Sequence, residues 1–153
     1  MKLHLGCGKR FFKGYVHVDI QDYDHVDYKT NVDNLSIFED DTASLIYASH
    51  VLEYFDFFEA KRVLKEWRRV LKPGGTLRIS VPDFDSLLKV YSMTNRNIEK
   101  IIGPLFGRIS SEKVFDQYIY HKTVYNFSKI KDLLSQSGFI NVRKYDWRQT
   151  ETK

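Results

Sequence analysis

The sequence predicts an α/β domain built on a mostly parallel, doubly wound sheet, and three observations predict it. Short apolar runs with strand-like alternation recur along the chain: Leu3-His4-Leu5, Val16-His17-Val18, Val26 to Val32, Ser44 to Ser49 and Thr76 to Val81. The first run meets a glycine turn, Gly6-Cys7-Gly8, and the second stops at Asp19. Between the fourth and fifth lies the clearest helical pattern, Phe58 to Lys72, stopped by Pro73-Gly74-Gly75.

A strand, a glycine turn, a second strand and a terminal carboxylate open a nucleotide-binding unit. Glycine lets backbone approach a ligand where a Cβ would clash, and a carboxylate at a strand tip can accept the hydroxyls of a ribose. Spacing argues against two nucleotide classes. The third glycine of G-x-G-x-x-G is Phe11, and no Gly-Lys-Ser/Thr closes the turn. Lys9 to Gly14 is too short for a crossover helix, and so is Gln21 to His25. The first helices are therefore reduced, and one flank of the sheet is expected to be thinly covered.

In the Phe58–Lys72 helix, Ala60, Val63, Leu64, Trp67, Val70 and Leu71 share one face. Arg62, Lys65, Arg68, Arg69 and Lys72 share the other, as a solvated face or a phosphate-binding ridge. Pro82-Asp83 ends the fifth strand and starts a helical insertion over approximately 84–125, a lid or substrate wall. Its helices centre on Leu87 to Tyr91, Ile98 to Ile102 and Val114 to Ile119, broken by Gly103-Pro104 and Gly107. Ser128 caps a further helix that ends at Gly138. Asn141 to Trp147 alternates like a last strand, and Gln149 to Lys153 is expected to fray. Strand logic gathers Gly6, Gly8, Asp19, Asp33, His50 and Asp83 at the carboxyl edge of the sheet, where such folds bind ligands.

Composition narrows the classes. The 153 residues are expected to form one domain, and 42% hydrophobic with 29% charged residues is ordinary for a globular protein. No apolar run approaches the roughly 18 residues of a membrane span, and the N-terminus enters a strand without a signal-peptide layout. One cysteine, Cys7, excludes an internal disulfide and fits a reducing cytoplasm. A net charge of +4, from 24 basic and 20 interspersed acidic residues, does not call for nucleic acid as a partner. No His or carboxylate shows metal-ligand spacing. His4 and His17 read as structural, and Cys7 as a small buried residue.

LHLGCG, VHVDI, ASLIYASHVLEYF, RVLKEWRRVLKPGGTLRISVPDF and LLSQSGFINV occur in the order and spacing of small class I S-adenosylmethionine-dependent methyltransferases. The chain resembles that family over most of Leu3 to Val142, the insertion apart. The resemblance implies the Rossmann-like methyltransferase fold, with a short or missing seventh strand and thus a truncated C-terminal hairpin. It also implies S-adenosylmethionine across the sheet edge, leaving as S-adenosylhomocysteine. Gly6, Cys7 and Gly8 would follow its methionine and ribose, Asp19 would take the ribose hydroxyls, and Ile20 would pack on adenine. Val32 and Asp33 would meet the adenine edge, with Ser49 and His50 near the methionine end. Two positions depart from the family pattern: His4 replaces an acidic residue, and Arg10 a third glycine.

Where the methyl acceptor needs a base, the candidates are His50, Asp83 and His121. Each has a structural alternative: a strand-end hydrogen bond, a helix cap and aromatic packing respectively. After the fourth strand, Ser49-His50-Val51-Leu52 replaces the N-P-P-Y-like motif of amino-group methylation, which points away from amide nitrogen. The expected function is methyl transfer to a small-molecule, sugar or lipid-linked acceptor. The alternative is a non-catalytic nucleotide-binding or regulatory module. A homodimer through the thin flank is the expected protein partner.

Overall fold

The computed structural model describes residues 1–107 and 119–152. Five strands, β1 (Lys2–Leu5), β2 (Val16–Asp19), β3 (Tyr28–Lys29), β4 (Ala43–Ser49) and β5 (Leu71–Ser80), form one all-parallel sheet ordered β3-β2-β1-β4-β5. The strand alternation read from the sequence sorts its side chains onto two faces. Leu3, Leu5, Val18, Ile46 and Ala48 point into the main core. His4, His17, Leu45 and Tyr47 are buried on the opposite face.

Two helices cover the first face. In α1 (Phe57–Val70), Ala60, Val63, Leu64, Trp67 and Val70 are buried, and the Trp67 indole donates to Val32 O at 2.8 Å. Asp56 starts this helix with a capping box: its carboxylate takes the amides of Phe58 and Glu59, while Glu59 reaches back to the Asp56 amide. Arg69, on the face expected to be basic and solvated, instead joins Glu66, Asp40 and the carbonyls of Leu35 and Phe38. In α4 (Phe127–Gln136), Ile130, Leu133 and Leu134 meet the same core.

The other face is not the one that α1 and α4 cover. It is not bare, however. Phe12 and Tyr15, from the loop between β1 and β2, pack on Tyr47 and Leu45. Tyr145 lies under the Arg78 guanidinium, and Glu151 accepts from Lys2, the Tyr15 hydroxyl and Arg78. Thr152 is buried, so the segment expected to fray is pinned across the sheet.

Other expectations are corrected. The third strand has two residues, Tyr28 and Lys29, because Asp27 already engages β2: its carboxylate accepts the His17 amide, and its own amide donates to His17 O. The cap of α4 is Asn126, whose side chain accepts the Lys129 amide, rather than Ser128. Asn141 to Trp147 is not a strand. Asp146 takes the Arg148 amide and starts a 3₁₀ turn, Trp147–Gln149, which ends the extended run. In the insertion, α2 (Phe84–Met93), a 3₁₀ turn Ile98–Lys100 and α3 (Ile102–Phe106) are present. The third expected helix falls largely outside the described residues. None of the described helices is long and apolar enough to cross a membrane.

The chain leaves β1 toward β2 on one side, and β4 pairs with β1 on the other. At such a reversal open α/β sheets hold ligands, in the crevice beyond the carboxyl ends of the strands, here β1 and β4.

Candidate active site

The glycine turn bends immediately after β1. Gly6 and Gly8 both sit at positive φ, +61° and +52°, a region that other residues enter only with strain. The two glycines differ in what surrounds them. A Cβ on Gly6 would meet Val51 Cγ2 at 2.5 Å, so this glycine makes room for the exit of β4. A Cβ on Gly8 would meet nothing within 4 Å, so here the backbone faces open space. Cys7 between them is buried, and burial followed by the Asp19 charge pushes its thiol up to about 12, which keeps it protonated and inert.

Asp19, at the tip of β2, closes on this turn. Its Oδ2 accepts the Gly8 amide at 2.8 Å and its Oδ1 the Gln21 amide at 2.8 Å. The residue is 6% exposed, and each carboxylate oxygen keeps a lone pair beyond the amide it holds. Ile20 follows, half-buried. Val32 is buried and spends its carbonyl on Trp67, while the exposed Asp33 lines a cavity of about 170 Å³ with Phe55, Glu59, Arg62 and Val63. A second, shallow cavity of about 260 Å³ lies between Lys9 and Asp22, Tyr23, Asp24 and His25. Neither hollow is lined by Gly8 or Asp19 themselves.

At the end of β4, Ser49 pairs in register with Ser80, and the His50 amide donates to Ser80 O at 2.9 Å. His50 then takes φ +55°, a left-handed conformation for a side-chain-bearing residue, and its ring is 61% exposed. That turn throws the imidazole outward while Val51, Leu52 and Glu53 plunge into the core. His50 Nδ1 stands 3.1 Å from Glu53 Oε1, and this hydrogen bond raises the histidine above its ordinary value against the opposing effect of burial.

The remaining candidates lie differently. Asp83 Oδ2 accepts the Ser86 hydroxyl, and its buried Oδ1 makes no hydrogen bond among the described residues. It stands at the start of α2 without bonding that helix's amides, so the capping alternative holds only through Ser86. The His121 side chain is 6% exposed, with Nδ1 on Pro104 O at 3.0 Å and its ring edge-on to Tyr54. His121 therefore packs behind the edge, whereas His50 projects from it. Glu53, which sequence reasoning passed over, is the residue that joins them: its Oε1 also lies 3.9 Å from His121 Nε2. Its position three residues after His50, in a helical turn, was the available signal.

His4 does not reach the crevice. It is buried between Phe12 and Tyr47 on the opposite face, and burial, reinforced by His17, Arg10 and His25, lowers it to about 3. A neutral imidazole there cannot do the work of the acidic residue it replaces.

Comparison with known proteins agrees with this geometry. The family model described as "Methyltransferase domain" matches residues 3–79. A demethylmenaquinone methyltransferase of Staphylococcus saprophyticus is 34% identical over 52% of this chain and 35% of its own length. Its Staphylococcus aureus counterpart is 28% identical over 74% of this chain and 51% of its own. The chain thus spans between about a third and a half of these relatives. Among solved structures, a SAM-dependent methyltransferase from Archaeoglobus fulgidus superposes with a TM-score of 0.59 at 16% identity, covering 93% of this chain and 62% of that one. Another from Methanosarcina mazei gives 0.59 at 21% identity, covering 89% and 77%. The glycine turn, the β2 carboxylate and the β4 exit all fall within the matched segment, and the chain belongs to the methyltransferase domain family, with the class I fold that uses S-adenosylmethionine as its cofactor.

Proposed function

We propose that this chain catalyses methyl transfer from S-adenosylmethionine to a small-molecule acceptor. The observation that carries the reading is the Gly8–Asp19 clasp: a buried carboxylate fixed by two amides, beside a glycine with open space where a side chain would stand. In this reading Asp19 holds the ribose hydroxyls with its free lone pairs, and Gly6, Cys7 and Gly8 follow the ribose and methionine. Ile20, Val32 and Asp33 border the adenine, and Ser49 and His50 border the methyl group. Bound there, S-adenosylmethionine supplies a methyl carbon on a sulfonium that already leaves readily, so the protein's share is chiefly orientation, up to about 7–11 kcal/mol of barrier. Of the three candidate bases, His50 is the one whose ring projects from the crevice edge.

The names of the curated relatives make demethylmenaquinone, in its reduced form that bears hydroxyls, the first acceptor to offer. The low exposure of Asp19 and the loss of the acid at His4 favour the second reading, a module that binds the cofactor without turnover. A thermal melt separates these readings from neither. S-adenosylhomocysteine at about 100 times its dissociation constant should add roughly 2.7 kcal/mol of stability. No shift at millimolar ligand removes both. In Gly8→Ala, positive φ alone should cost about 1 kcal/mol, and the ligand-induced shift should shrink because the new methyl group occupies the cradle. An undiminished shift would place the ligand elsewhere.

A further inference from the structure

Glu53 is a charge in a place that does not need one. It is 1% exposed, at the centre of the 3₁₀ turn Leu52–Tyr54 that follows β4, and its Oε2 makes no hydrogen bond among the described residues. An unpaired carboxylate oxygen in the interior costs free energy that a leucine or a glutamine would avoid. The structural tie at this residue runs through the main chain instead: Glu53 O accepts the amides of Lys122 and Thr123, which anchors the end of the insertion whatever the side chain is. What the side chain adds is the 3.1 Å contact to His50 Nδ1.

That contact fixes a tautomer. An ionised carboxylate only accepts, so Nδ1 must carry the hydrogen, and the lone pair of the neutral imidazole is left on Nε2. His50 Nε2 makes no hydrogen bond among the described residues, on a ring that is 61% exposed. His121 cannot substitute. Its Nδ1 is held by a carbonyl, which likewise requires a hydrogen there, and its Nε2 faces the same Glu53 oxygen from the buried side. The charged and titratable groups around the pair are few. Arg10, from the glycine turn, opposes protonation of His50. Tyr54 and Tyr125 face Glu53, and both phenols are raised by burial first and by its charge second.

We propose that Glu53 is a positioning residue that holds His50 with Nε2 bare at the crevice, as the base for an acceptor hydroxyl. The hydroxyl proton passes to Nε2. The acceptor oxygen forms its bond to the methyl carbon as that carbon's bond to sulfur breaks, with the electron pair left on sulfur. This inference rests on the methyl-transfer reading but fails separately from it.

The test is histidine-labelled nitrogen NMR on the full chain, with S-adenosylhomocysteine added. The neutral His50 ring, its signals assigned by their loss in His50→Gln, should show the Nδ1–H tautomer in the wild type. In Glu53→Gln its titration midpoint should move to lower pH, since the charge that favours the imidazolium is gone. The Nε2–H tautomer, or an unmoved midpoint in a folded Glu53→Gln, overturns the proposal. The acceptor class is probed with 4-nitrophenol, which should show phenolate colour on binding at a pH where the free phenol is colourless. That colour should be lost in His50→Gln. No colour with the wild-type chain overturns the hydroxyl assignment. A chain that gains no thermal stability from S-adenosylhomocysteine overturns the methyl-transfer reading itself, whereas a chain that binds it and shows the other tautomer overturns only the role of Glu53.

Discussion

The two faces of this sheet are covered by different chemistry. On one, α1 and α4 press Trp67, Leu64, Val63 and Leu133 against Leu3, Leu5 and Ile46, a hydrocarbon interior with one indole hydrogen bond. On the other, a β1–β2 loop and the last residues of the chain lay Phe12, Tyr15, Tyr145 and Glu151 over His4, His17, Tyr47 and Arg78. The first face depends on shape and on exclusion of water, which pH hardly alters. The second depends on imidazoles staying neutral and on carboxylates staying charged. A sheet can therefore lose the crossover helices of its first two links and still be closed, at the cost of tying that closure to acidity.

Four experiments sharpen or break this contrast, taken from the largest expected effect. Trp67→Ala, which removes a fully buried ring and its bond to Val32, should cost about 3–5 kcal/mol in urea unfolding. The loss should be the same at neutral and mildly acid pH. Acidification should strike the other face. His4 is held neutral down to about 3 while the unfolded chain takes a proton near 6.5, so the unfolded state binds more protons throughout that window. Stability should thus be intact above about pH 6.5 and fall by about 2 kcal/mol by pH 5. His17, also lowered chiefly by burial, acts in the same direction. His4→Leu should flatten this limb, and a limb that stays as steep would show that the charge burden lies elsewhere. Glu151→Ala removes acceptors for Lys2, Tyr15 and Arg78, but its half-exposed carboxylate limits the loss to about 1 kcal/mol. Wild-type Glu151 is depressed to about 2, by its own amide first and the Tyr15 hydroxyl next, so its contribution is present above the ordinary carboxylate range and lost only as pH falls toward 2. Lys65→Ala, on the exposed side of α1, should change the midpoint by no more than about 0.5 kcal/mol. A larger change would mean that this side of the helix has an unrecognised structural part.

Legibility from sequence followed the same division. The helix over Trp67 was readable because burial on one side of a helix imposes a period, and its actual span, Phe57–Val70, differs from the expected Phe58–Lys72 by one or two residues at each end. The mostly parallel sheet and the edge holding Gly8, Asp19 and His50 were readable because glycines and carboxylates at strand ends have few other uses. The cover of the second face was not readable, since a loop and a tail held by aromatic stacking and one carboxylate leave no period. Asn141 to Trp147 alternates, but alternation only favours a strand where a neighbour's hydrogen-bonding edge is met, and Asp146 diverts the chain first. Glu53 escaped because a single acid beside apolar residues looks like surface. Only the fold reveals that it points inward.

The Glu151 clasp has a mechanical consequence. Because Lys2 opens β1 and is bonded to Glu151, the segment that covers the second face is fastened to the start of the central strand. A force that drew the tail away from Lys2 would load that fastening together with the first residue of β1. The fastening should yield first and peel Tyr15 and Arg78 from the tail. The rest of β1 sits mid-sheet and must be sheared past β2 and β4 together. Stretched singly, the molecule should give way in two steps, a soft one at the fastening and a stiff one at its central strand.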